Sequence, residues 1–211
     1  MKMKNNVNQR NMNQELFARN VSGSTEILKQ KTVGIAGCGG LGSNIAVALA
    51  RSGVGNLILV DFDVVELSNL NRQYYFQSDV GELKALALAN HLKAINPEIN
   101  LIVHIQKLQP KEISKIFGDV DLLIEAFDKA ESKKWLIDHW CTNYAEKTII
   151  CGSGMSGLGN TDSLQVQRAG NLIICGDQTS DISEGLSAAR VAIVANMQAN
   201  EALEKLLENN K

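Results

Sequence analysis

Apolar runs and polar breaks alternate along this chain in a way that predicts strands and helices in turn. Residues 33–36 form a short apolar run, followed by Gly37-Cys38-Gly39-Gly40-Leu41-Gly42 and then by Ile45, Val47, Ala48 and Leu49 at helical spacing. Ser43 is placed to cap that helix and Gly53 to stop it. Residues 57–60 are unbroken apolar, as in a strand buried on both faces, and end in Asp61-Phe62-Asp63. A polar segment, 64–76, precedes a helix that starts between Asp79 and Gly81, carries Ala85, Leu88, Leu92 and Ile95 on one face, and stops at Asn96-Pro97. Residues 99–105, 120–127 and 148–151 predict further strands. A short helix is expected over 110–117 and a longer one through Trp135, Leu136 and Trp140, for which Asp128 and Glu131 form a D-x-x-E capping box. Residues 152–160 read as a flexible glycine-rich turn, 164–168 and 172–175 as strands, 176–185 as an exposed loop, and 186–207 as a helix apolar on more than one side. Ahead of the first strand, 15–20 and 25–28 read as short helical pieces. The alternation is that of an α/β fold with a mostly parallel sheet.

Composition narrows the field. The 211 residues suit one α/β domain with a sizeable core, expected over 14–211, after an Asn-, Lys- and Gln-rich arm, 1–13, expected to be flexible. With 21 Lys and Arg against 23 Asp and Glu, the net charge is −2 and no basic block exists, which argues against a nucleic-acid surface that works by charge alone. No run of 18 apolar residues is present, so no membrane span is expected, and the polar start lacks a signal-peptide core; the protein is expected to be cytoplasmic. The four cysteines include no C-x-x-C pair and have no histidine at ligand spacing, which gives no support for a structural zinc site or for disulfides. His91, His104 and His139 read as surface or satisfied half-buried residues.

The candidate chemistry starts at the glycine run. Gly37 permits a tight turn, Gly39 lets backbone N–H groups approach a phosphate, and Gly42 lets the helix pack closely on the strand. Asp61 follows Gly42 by nineteen residues, at the tip of the second strand, where a carboxylate can accept from ribose hydroxyls. The segment after Asp63 holds Asn69, Asn71, Arg72 and Gln73 close to the carboxyl ends of the strands, where open α/β sheets bind ligands. Lys84 shares a helix face with Leu88 and is either a snorkelling edge residue or a phosphate contact. Asp128, at the end of a buried strand, is either a cap or a Mg²⁺ ligand. Arg19 reads by default as a surface residue.

With those residues placed, the chain resembles the ThiF/MoeB/HesA family of ubiquitin-activating-like adenylyltransferases, most closely its short, second-type ThiF members. The resemblance rests on G-C-G-G-L-G-S at 37–43, S-G-V-G-N-L at 52–57, D-F-D-V-V at 61–65, S-N-L-N-R-Q at 68–73, G-E-L-K at 81–84, I-N-P at 95–97 and E-A-F-D at 125–128, and covers 15–207. It implies a Rossmann-like ThiF-type nucleotide-binding fold and ATP-dependent adenylation of the C-terminal carboxylate of a ubiquitin-fold sulfur carrier, ThiS-like, in thiamine biosynthesis. It further implies that amides around Gly39, Gly40, Leu41 and Gly42 hold phosphate, that Asp61 and Asp63 lie at the nucleotide, and that Arg72 and Lys84 neutralise phosphate charge. Asn69 and Gln73 would orient that network, Asp128 would hold Mg²⁺, and Arg19 would reach the ATP of a neighbouring subunit in a homodimer. Cys175 is the nearest candidate for a covalent intermediate, although a small buried hydrophobe is the better reading. A tRNA threonylcarbamoyladenosine dehydratase of the same family is the nearest rival; an NAD-dependent oxidoreductase and a non-catalytic partner subunit rank lower.

Overall fold

The computed structural model describes residues 15–208, so the arm expected at 1–13 lies outside the described residues. Seven strands form a single sheet: β1 (Thr32–Ala36), β2 (Asn56–Val60), β3 (Asn100–His104), β4 (Leu122–Glu125), β5 (Thr148–Gly152), β6 (Gln165–Ala169) and β7 (Leu172–Gly176). Their order is β3-β2-β1-β4-β5-β7-β6. All neighbours pair in parallel except β6 with β7, which form an antiparallel edge joined by a tight turn at Gly170. The central strands are apolar at nearly every position because both faces are covered.

The helices are α1 (Ser24–Leu28), α2 (Gly40–Ser52), α3 (Lys84–Ile95), α4 (Ile113–Phe117), α5 (Ala130–Asn143) and α6 (Ala188–Glu208). On one face α2, α3 and α6 bury Ile45, Leu49, Leu88, Leu92, Val191 and Val194 against Ile35, Leu57, Leu59 and Ile124. On the other, α4 and α5 bury Ile113, Phe117, Leu136 and Trp140 against Ile58, Val60, Leu123 and Ile149. Gly34 shows how tightly that second layer sits: a Cβ there would lie 2.6 Å from the Phe117 ring. The helix α2 ends as expected at Gly53, whose φ of 93° is a left-handed cap.

Three local expectations are corrected. The N-cap of α2 is Gly39, not Ser43; the Ser43 hydroxyl instead donates to the Gly39 carbonyl and accepts from the Tyr74 amide. The helix α3 begins at Lys84, because Gln77–Asp79 is a separate 3-10 turn and Gly81 has a φ of 92°. The N-cap of α5 is Lys129 without a side-chain cap, so the D-x-x-E capping box at Asp128 does not form.

Candidate functional site

The strand β1 delivers Gly37 into a conformation with φ of 102°, and Gly39 then starts α2 with no side chain capping the first turn. The amides of that turn therefore point out of the helix without a side-chain acceptor, the arrangement that binds anions. Close packing sets the loop's shape: a Cβ on Gly42 would lie 1.8 Å from the Gly37 carbonyl oxygen. At Gly39 the space is open, the nearest atom to such a Cβ being Gln73 Nε2 at 3.8 Å.

The segment between β2 and α3 folds back over this loop. Asp61 accepts from the Cys38 amide at 2.6 Å and from the Asp63 amide at 2.8 Å, which ties the tip of β2 to the glycine loop. Burial pushes its carboxyl above the usual carboxylate range, offset only in part by those two N–H groups. Asn69 is buried and accepts from the Glu66 amide, holding the 3-10 turn Leu67–Asn69. Asn44 of α2 donates to the Arg72 carbonyl, and Tyr75 donates its hydroxyl to the Cys38 carbonyl at 2.7 Å. These bonds bring Arg72 and Gln73 above Gly39 and Gly40; a Cβ on Gly40 would meet the Arg72 side chain at 3.9 Å.

The cations there are differently engaged. Arg72 donates only to neutral acceptors, the Ser68 carbonyl and the Asn71 amide oxygen, and among the described residues it has no carboxylate partner. Lys84, although buried, reaches Asp63 Oδ2 at 3.2 Å. Gln73 is 9 % exposed and its Oε1 has no partner among the described residues. An uncapped helix start, an arginine without a carboxylate and an orphaned amide oxygen make a set that fits a polyanion carrying hydroxyl groups.

At the tip of β4, Asp128 is exposed, and its side chain has no hydrogen-bond or ion-pair partner among the described residues. It lies two residues past Ala126, whose carbonyl oxygen comes within 2.7 Å of where a Gly37 Cβ would be. A free carboxylate at that place suits a hard cation shared with phosphate. Beneath it sits a pair given no role from the sequence, although Glu125 opens the E-A-F-D motif: Glu125, fully buried, accepts from the Phe127 amide at 2.7 Å and from Lys133 Nζ at 2.8 Å. Arg19 is not brought to this loop. Its neighbour Asn20 is bonded to Thr25 and to the Ser52 carbonyl, at the far end of α2, about 20 Å away along the helix.

A second omitted group lies on the carboxyl side of β5 and β7. Arg190, 4 % exposed, donates to the Gly159 and Asn160 carbonyls, to Ser163 Oγ and to Asp177. The turn at 152–160 is thus held by hydrogen bonds, and the side chain of Asp177 is buried within a loop expected to be exposed. Burial raises the Asp177 carboxyl, but the Ser180 and Thr179 amides and the Arg190 guanidinium outweigh it and hold the group well below the usual range. A polar cavity of about 250 Å³ opens beside this pair. Asn71 donates to the Leu186 carbonyl and Val191 packs on Gly40, so the start of α6 joins this region to the glycine loop. An arginine within an apolar helix was the only signal of this cluster in the sequence.

The cysteines divide cleanly. Cys38, Cys151 and Cys175 are buried, and burial pushes the Cys151 and Cys175 thiols up to about 12. Neither is poised to act as a thiolate, and Cys175 packs as a small hydrophobe. Among the described residues no cluster of three metal-ligating side chains exists, and no helix is long and apolar enough to cross a membrane.

Fold and site together define an α/β domain of Rossmann-like type with a glycine loop at the end of its first strand. The ThiF family description matches residues 9–211, and the chain belongs to that family. It is 35% identical over 144 residues to a tRNA threonylcarbamoyladenosine dehydratase of Haemophilus influenzae, a match that covers 67% of this chain and 54% of the relative. It is 30% identical over 189 residues to an adenylyltransferase and sulfurtransferase of Candida glabrata, covering 85% of this chain and 43% of the relative. The chain thus spans about half or less of the curated relatives it matches. Among solved structures, the E. coli tRNA N6-threonylcarbamoyladenosine dehydratase, TcdA, superposes with a TM-score of 0.85 at 21% identity, covering 93% of this chain and 96% of that one. Its ATP complex gives 0.83. These superpositions establish the fold.

Proposed function

We propose that this chain activates a carboxylate by ATP-dependent adenylation. The observation that carries the reading is Arg72, without a carboxylate partner, lying over the uncapped start of α2. When bound, ATP supplies an α-phosphate to which a carboxylate oxygen can be joined with loss of pyrophosphate. Amides at Gly40, Leu41 and Gly42 hold phosphate oxygens, Arg72 and Lys84 neutralise the charge that shifts toward pyrophosphate, and Gln73 and Asn69 keep that segment over the loop. Asp61 is the acceptor for ribose hydroxyls, with Asp63 holding Lys84, and Asp128 the carboxylate for Mg²⁺. The protein's contribution is alignment and charge neutralisation.

The relatives favour a threonylcarbamoyl carboxylate carried by tRNA as the group activated, over the C-terminus of a ThiS-like carrier. The carrier reading keeps one support of its own in this chain: a net charge of −2 with no basic block suits a protein acceptor better than RNA. A homodimer, with Arg19 acting on the neighbouring subunit's nucleotide, fits the half-exposed Ile193 beside an apolar groove of about 500 Å³ between β6 and α6. ATP–pyrophosphate exchange measured in parallel with threonylcarbamoyl-tRNA and with ThiS tests the proposal. Exchange that depends on one acceptor names it; binding of Mg-ATP without exchange on either would sink the adenylation reading.

A further inference from the structure

The pair Glu125–Lys133 occupies the apolar end of a buried strand, a place where hydrophobic residues are the usual occupants. The strand β4 is otherwise Leu122, Leu123 and Ile124, all buried, and Glu125 is paired in register with Ala36 of β1 and Cys151 of β5. A carboxylate there loses its hydration, and a lysine must be drawn in to match it. Replacing such pairs with hydrophobic residues is often neutral or stabilising, so core stability alone does not explain this one.

What the pair does is geometric. One oxygen of Glu125 takes the Phe127 amide, which bends the chain immediately before Asp128. The other takes Lys133 Nζ from the first turns of α5, which fixes where the helix resumes after Asp128. The Lys133 amide in turn donates to the Lys129 carbonyl. With no side-chain cap at Lys129, the Glu125–Lys133 bond is, among the described residues, the side-chain hydrogen bond that ties this turn to the helix, beside the Phe127–Trp135 ring contact at 6.1 Å. The Ala126 amide, donating to the Ala36 carbonyl, joins the same turn to the residue that precedes Gly37.

The structure assigns to Glu125 and Lys133 the role of positioning residues: one part-buried ion pair sets the turn that carries Asp128 beside the glycine loop. The inference rests on the adenylation reading and on Asp128 as the carboxylate that meets Mg²⁺. Partners that orient a ligand in this way contribute about 10–100-fold in metal affinity when removed. The pair therefore matters through Asp128 and has no contact with nucleotide of its own.

The experiment compares the affinity for Mg-ATP with that for ATP in EDTA, by calorimetry, in the parent, Lys133→Met, Glu125→Gln, the double variant Glu125→Gln/Lys133→Met, Asp128→Asn, and Asp128→Asn combined with Lys133→Met. The expected result is a preference for Mg-ATP reduced about tenfold or more in Lys133→Met and in Asp128→Asn, with affinity for ATP in EDTA unchanged. Adding Lys133→Met to Asp128→Asn should cost nothing further. The double variant Glu125→Gln/Lys133→Met leaves no buried charge, so it should melt at or near the parent temperature and still lose the preference. A Lys133→Met protein that keeps the parent's preference while Asp128→Asn loses it overturns the inference and leaves the adenylation reading standing. A full further loss in the Asp128→Asn background also overturns it. If Asp128→Asn itself keeps the preference, the metal assignment falls and takes the inference with it.

Discussion

Two glycines of the same loop should fail in different ways when a single methyl group is added. A Cβ on Gly42 would lie 1.8 Å from the Gly37 carbonyl oxygen and 2.9 Å from its carbon, whereas a relaxed carbon–oxygen contact needs about 3.3 Å. The carbonyl cannot swing aside freely, because its own peptide plane is fixed by the Cys38 amide on Asp61 at 2.6 Å, and the same Cβ already touches Ala126. The helix α2 would have to recede by about 1.5 Å along a face packed on β1, which places Gly42→Ala at the upper end of over-packing costs, about 3 kcal/mol. In a domain of this size that is a fall of about 6–12 °C in Tm. Gly39→Ala meets only Gln73 Nε2 at 3.8 Å, so no clash opposes it and the cost should be about 1 kcal/mol, well short of that at Gly42. Its methyl group, however, stands where phosphate oxygens approach the amides, and affinity for Mg-ATP should drop at least about tenfold, some 1.4 kcal/mol. Thermal and urea melts with a calorimetric ATP titration separate the two effects. A Gly42→Ala protein that melts with the parent, or a Gly39→Ala protein that binds Mg-ATP normally, would refute this division of labour.

Arg72→Ala and Lys84→Ala should each lower ATP–pyrophosphate exchange by about 10²-fold or more while leaving the far-ultraviolet spectrum unchanged; full exchange in either removes that residue from the site. Iodoacetamide at pH 8 should label Cys141 in the native protein and leave Cys38, Cys151 and Cys175 unreacted until denaturant is added, as read by peptide mass. Asp177→Asn should destabilise at pH 7, with the gap to the parent narrowing as pH falls below about 4. A carboxyl held below its unfolded value of about 3.9 contributes fully above that value and loses its contribution as pH drops toward the folded one. Urea melts across pH 3–7 check this, and a gap that widens on acidification would contradict it.

The strands, the glycine loop and the cluster around Arg72 were legible because each is local: a run of apolar residues, a fixed glycine spacing, a polar segment between two periodic ones. Errors fell where a side chain had two partners to choose from. Asp79 and Gly81 look like a helix start, yet Asp79 is buried against His91 at 2.7 Å and the helix waits until Lys84. Asp128 and Glu131 have capping-box spacing, but α5 starts at Ala130 with Lys129 as its N-cap, one residue too late for Asp128 to cap it. Glu125 with Lys133 and Asp177 with Arg190 join a strand tip to a helix eight and thirteen residues on, and no sequence period marks such pairs.

The strand order explains why the candidate groups meet at all. After β1 the chain passes to α2 on one face of the sheet, and after β4 it passes to α5 on the other, so the loops leaving these adjacent strands diverge and open a crevice at their carboxyl ends. The glycine loop forms one wall and the Asp128 turn the other. The segment from Asp61 to Lys84 has to cross from β2 back to α3, and its bonds to Ser43, Asn44 and Cys38 draw it over the first wall, where it brings Arg72 without a carboxylate partner and Lys84 paired with Asp63. Affinity for an anion should therefore depend on the residues that fold this segment as well as on the cations it carries. Tyr75→Phe, which removes only the hydroxyl bonded to the Cys38 and Lys84 carbonyls, should weaken Mg-ATP binding without touching a charge. Unchanged affinity would mean that the segment is held over the loop by packing alone.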